Sequence, residues 1–179
     1  MKTKNLLFVL LTTISALAQG EIIFANRNIP TASGTGGGNG NGTYNMPIWE
    51  YNPAPGVQTG NGAGDLPGGV TVGLFTVGGE MIGSTLLRTD ANSQFFATSA
   101  QILKVPNAEP GTTATLLVRA WQGPGGFANA KANGYLVWDE MAFTTRPLGG
   151  TNSSGAVFPT PKMTGWGSED GTGWVVCAD

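Results

Sequence analysis

"TTATLLVRAWQG", residues 112–123, is the stretch from which the fold is read. Ala114, Leu116, Val118 and Ala120 alternate with Thr115, Leu117, Arg119 and Trp121, and Gly-Pro-Gly-Gly follows at 123–126. A period of two puts successive side chains on opposite faces of a β-strand, so the Leu116/Val118/Ala120 set belongs to a core. The other face carries an arginine beside a tryptophan. Arg119 and Trp121 are expected to look outward together, either as a binding surface or as an outer face covered by a glycine-rich segment or a helix.

Similar signals continue in both directions. "EIIFANRN" (21–28) reads as a first strand closed by Pro30, and "VTVGLFTV" (70–77) as another. Gly78-Gly79 is a two-residue hairpin signal leading into "EMIGSTLLRT" (80–89). "SQFFAT" (93–98) and "QILKV" (101–105) follow as strands, and "PNAEPGT" (106–112) is a turn rich in Pro, Asn and Gly. "FANAKAN" (127–133), with Gly134 behind it, predicts one or two helical turns with a glycine stop. "YLVWDEMAFTT" (135–145) returns as a strand ended by Pro147, and "GWVVCA" (173–178) is a candidate last edge strand. Short strands at near-regular spacing with little helix predict an all-β fold, an antiparallel β-sandwich (jelly-roll or Ig-like) of about eight strands with one short helix.

The chain has 179 residues, enough for one domain. Lys2 and Lys4, the apolar run "LLFVLLTTISALA" and Ala16-Leu17-Ala18 predict a signal peptide over 1–18 and a mature chain from Gln19. The apolar run is shorter than the ~20 residues that span a bilayer. With Lys2 and Lys4 removed, seven basic residues face eleven acidic ones and the formal charge moves from −2 to −4. Such mild acidity, without a basic cluster, argues against nucleic acid or an anionic membrane surface as partner. Twelve of the 29 glycines lie between Gly34 and Gly69, so residues 31–69 are expected to be a glycine-rich surface excursion with "MPIWEY" as a short strand-like anchor. From Leu148 onward a Gly/Ser/Pro-rich tail is expected. The domain is then a single unit over 19–179.

Several of these pieces together resemble small exported all-β proteins of environmental bacteria, many of which carry a C-terminal PEP-CTERM sorting signal. They are "IIFANRN" after the signal, the glycine-rich run into "GVTVGLF", "VPNAEPGTTATLLVRAW", the Ala/Asn helical segment and the closing strand before "LGG". The similarity spans roughly residues 20–150, and it implies export and an all-β fold without an activity or a catalytic residue set. The tail "GWGSEDGTGWVVCAD" departs from that pattern, lacking Pro-Glu-Pro, an apolar span and a basic end.

The chain contains no histidine, which removes Ser-His-Asp and Cys-His catalysis and the commonest zinc ligand. Among the acids, only Glu50, between Trp49 and Tyr51, and the Asp139-Glu140 pair beside Trp138 sit among aromatics. Neighbours on a strand face opposite ways, so Asp139 and Glu140 do not share a cleft as a glycosidase pair would. "SEDGTG" lacks the alternate acids of a calcium loop, and neither GxGxxG nor a GK[ST] ending occurs. No catalytic residue, no metal site and no cofactor is expected. The lone Cys177 reads as a buried small hydrophobe or an intermolecular bridge.

Aromatics carry the remaining signal. Sugar rings present apolar faces that stack on flat aromatics, so Trp49, Tyr51, Arg119 and Trp121 are the candidate binding residues, with core packing as the competing role. The leading functional expectation is a secreted, non-enzymatic cell-surface or extracellular-matrix structural protein. A carbohydrate-binding, lectin-like module using surface Trp and Tyr is the alternative, and a glycosidase the third. Extracellular polysaccharide or cell-surface components are the expected partners, with association through Cys177 or sheet edges.

Overall fold

The computed structural model describes residues 18–30, 43–50, 62, 66, 68–97, 100–135, 137–164 and 174–176. Its centre is a four-stranded antiparallel sheet of β5 (Thr71–Thr76), β6 (Met81–Leu86), β8 (Thr115–Trp121) and β9 (Val137–Thr144), in the order β6-β5-β8-β9. β1 (Gly20–Phe24) pairs antiparallel with β7 (Gln101–Val105). Three smaller pairs complete the strands: β2 (Ile29–Pro30) with β3 (Thr43–Tyr44), β10 (Gly150–Thr151) with β11 (Val157–Phe158), and β4 (Ile48–Glu50) in parallel with β12 (Trp174–Val176). The helix α1 (Gly126–Ala132) is the single helix among the described residues. The chain is therefore mostly β, with antiparallel sheets and one short helix.

Alternation on the opening strand holds. Leu116, Val118 and Ala120 of β8 join Val72 and Leu74 of β5 and Ile22 and Phe24 of β1 in one core, all at most 1% exposed. Ile82 is the extra residue of a β-bulge in β6, since Leu74 pairs with Gly83 but Phe75 pairs with Met81. A bulge turns an additional side chain toward one face, and Ile82 packs against this core. The hairpin between β5 and β6 is longer than a two-residue turn: Gly79 at φ 87° donates to the Thr76 carbonyl, and Thr76 donates to that of Glu80. Within "SQFFAT", residues 93–97 form no strand, and Thr98 lies outside the described residues. The amide of Phe95 closes a turn onto the Asn92 carbonyl, and only Phe96 bridges, to Leu87. Two adjacent buried rings, Phe95 and Phe96, hold that segment inward without a ladder.

The "FANRN" run after β1 is a junction. Asn26 is 1% exposed, and its Nδ2 donates to the carbonyls of Met46 (3.0 Å) and Gln94 (3.2 Å). Its Oδ1 accepts the amide of Phe96 at 3.1 Å, so one side chain ties its own segment to two distant ones. Phe24 packs on Phe96 with ring centroids 4.6 Å apart, and the Arg27 guanidinium lies 4.7 Å from the Phe95 centroid. Within the glycine-rich excursion, Met46 and Ile48 are fully buried and Leu66 packs on the same core, so its described part is anchored by more than one strand. The segment read as a tail is also packed as far as 164. Leu148 and Met163 are fully buried, Gly149 exchanges hydrogen bonds with Glu21, and Ile23 is bridged to Lys162. β1 thus has hydrogen-bonded neighbours on both sides.

Candidate functional site

On the second face of the central sheet, β5 and β8 bring Phe75, Leu117 and Trp121 together, and α1 covers them with Phe127 and Ala130. The turn into α1 is closed by Asn129, whose Nδ2 donates to the Pro124 carbonyl at 2.8 Å. Asn133 ends the helix with its amide on the Asn129 carbonyl, and Lys131 in the last turn complements the negative end of the helix dipole. The rings of Phe75, Trp121 and Phe127 meet edge to face, with centroids 6.2, 6.2 and 6.3 Å apart in the three pairs. Such pairs add about 0.5–1.5 kcal/mol each beyond their buried area. Gly73 opposes Arg119 in register, and a Cβ there would stand 2.7 Å from the Phe75 ring and 2.9 Å from that of Trp121. Its missing side chain is what lets the rings lie over the sheet.

The Arg119 guanidinium stands 5.0 Å from the centroids of both Phe75 and Phe127. A cation over ring faces is favourable, and here it roofs the aromatic cluster while staying half-buried. This answers why an arginine sits beside a tryptophan on β8. Trp121 is only 3% exposed, so it offers no ring face to a sugar in solvent, and the expected outward pair is a covered one. Leu117, on the same face, is also buried, at 6%.

The other candidates are not gathered with this pair. Trp49 stands in β4 opposite Val175 of β12. Tyr51, Cys177 and most of the glycine-rich excursion lie outside the described residues. Trp138 is in β9 opposite Ala120, and Asp139-Glu140 fall where the β8–β9 register shifts at Arg119. Among the described residues no group of three or more His, Cys, Asp or Glu is placed to hold a metal ion. No described helix is long and apolar enough to cross a membrane.

A feature that sequence reasoning took as a plain turn is an open hollow of about 430 Å³ at the ends of β5, β7 and β8. Val105 and Leu116, both buried, lie at its base with Pro106 and Ala108; Asn107, Glu109 and four threonines bring polar groups to it. The 106–112 loop is firmly held. The Ala108 carbonyl accepts the Gly20 amide at 2.6 Å, and the Gly111 amide donates to Leu148 at 2.8 Å. Both the amide and the hydroxyl of Thr112 donate to the Glu109 carbonyl. Asn107 sits at φ 57°, a left-handed conformation that asparagine tolerates better than most residues. Only the Asn-Ala-Glu-Pro-Gly spacing hinted at a structured turn; that its ends enclose a hollow depends on β5 and β8 coming from elsewhere.

Compared with known proteins, the chain matches no family model, and neither a curated protein nor a solved structure is similar to it.

Proposed function

We propose that this chain is an exported, non-enzymatic component of the cell surface or extracellular matrix, built on an antiparallel β-sandwich and in contact with extracellular polysaccharide. The observation that carries this reading is the closed aromatic cluster of Phe75, Trp121 and Phe127 under Arg119. The β8 side chains with the most binding chemistry are used to attach α1 to the sheet, which favours a scaffold over a catalytic cleft. Export rests on the charged, apolar and small-residue order of residues 1–18. A saccharide-binding role is the second reading. The hollow at the strand ends favours it, being of ligand size with an apolar base and a few polar groups.

The test is direct. Protein secreted from expressing cells is sequenced from its N-terminus, and the purified chain is offered a panel of chromogenic glycosides, esters and peptides. A start at Gln19 and no turnover is the expected result. An intact Met1 on secreted material overturns the export reading. Turnover that is lost on replacing a carboxylate overturns the non-enzymatic one.

A further inference from the structure

We infer that the hollow between the ends of β5, β7 and β8 is a binding site for one neutral saccharide unit of an extracellular polysaccharide, a proposal that rests on the polysaccharide contact just put forward. Its size falls in the range that holds a small ligand. Val77, exposed, with the half-buried Pro106 and Ala108, gives an apolar surface against which the C–H face of a sugar ring loses water. Around them, Asn107, Glu109, Thr113 and Thr115 offer carboxamide, carboxylate and hydroxyl groups, the donor and acceptor mixture that pairs with neighbouring sugar hydroxyls. Among the described residues the side chains of Asn107 and Glu109 are exposed and take no part in the hydrogen bonds that hold the loop. None of the lining residues is basic, which disfavours a phosphate, sulfate or uronate ligand. A single carboxylate is too few ligands for a calcium cage. The loop's fixed backbone means that little ordering is needed on binding, which favours measurable affinity from a small contact.

The experiment is amide chemical-shift mapping by NMR on the full mature chain. The probes are glucose, galactose and N-acetylglucosamine, their β-linked trisaccharides, and a short lysine-containing peptide. Saturable shifts confined to Val77 and residues 105–116 are expected with at least one saccharide. Glu109→Ala and Asn107→Gly should each weaken that binding on the order of tenfold, the loss of one hydrogen bond to a charged or well-placed group. Both changes are at exposed side chains, and glycine accepts the φ of Asn107, so melting temperatures should stay put. Saccharide shifts that map elsewhere overturn this site while leaving the polysaccharide contact standing. Silence from every saccharide overturns both. Shifts at residues 105–116 with the peptide alone overturn the ligand class in favour of a cationic one.

Discussion

Replacing Asn26 by alanine should be among the most damaging single substitutions in the chain. The side chain is 1% exposed and satisfies two carbonyls and one amide, on Met46, Gln94 and Phe96. Alanine takes that partner from the buried Met46 carbonyl and Phe96 amide, at about 1–3 kcal/mol each, while the Gln94 carbonyl keeps the Ile48 amide. The losses do not simply add, because water can enter the vacated volume and reach some of them. A net destabilisation of about 3–5 kcal/mol is expected, a large share of the ~5–15 kcal/mol that holds a typical domain. Asn26→Asp separates hydrogen bonding from shape. Its near-identical carboxyl can still accept the Phe96 amide, but its second oxygen faces two carbonyls. Burial against carbonyl oxygens raises the folded pKa of this new acid above its unfolded value near ~3.9. A raised folded pKa means the mutant is best below the unfolded value and loses stability as pH rises through the folded one. Urea denaturation followed by tryptophan fluorescence, on wild type and both mutants between pH 3.5 and 8, measures this. An Asn26→Ala penalty below ~0.5 kcal/mol, or an Asn26→Asp penalty that shrinks as pH rises, refutes the clamp.

Other outcomes are expected from the same geometry. Gly73→Ala should cost about 1–3 kcal/mol by overpacking, and should alter the near-ultraviolet dichroism of Trp121, because the new methyl meets two rings; an unchanged spectrum and melting curve would count against the packed cluster. Leu116→Ala should cost about 2–5 kcal/mol, and Leu117→Ala should cost at least ~2 kcal/mol because α1 covers it; a Leu117→Ala effect within ~0.5 kcal/mol would show that face to be open. The carboxyl of Asp90 is held down to about 2 by its hydrogen bonds with the Arg88 guanidinium, then by the Asn92 amide. Its depressed pKa favours the fold above the unfolded value, and that contribution fades as pH falls through about 2. In Arg88→Ala the Asp90 carboxyl should titrate closer to 3.8, read by carbon NMR, and an unmoved titration would dismiss the pair.

Local pattern was enough for the strands whose two faces differ in chemistry. Alternation along 114–121 located β8 and its core-facing set, and the Ala/Asn run before Gly134 located α1, because period and stop signals act over a few residues. The same locality explains why 93–97 reads as a strand but is a turn: two neighbouring phenylalanines look strand-like, yet both are buried, Phe96 against Phe24 and Phe95 beneath the Arg27 guanidinium, neighbours distant in sequence. What the second face of β8 does was settled only in three dimensions. Sequence placed Arg119 and Trp121 on one side of a strand, whereas their burial depends on Phe75 across the sheet, the absent side chain of Gly73 and the return of Phe127 on the helix. The role of Asn26 was equally invisible, since a polar residue after a strand reads as a turn until its three partners, 20 to 70 positions away, close around it. Hydrophobic periodicity is written residue by residue, but the pairing of a buried polar group or a cation with ring faces is decided by which distant segments meet.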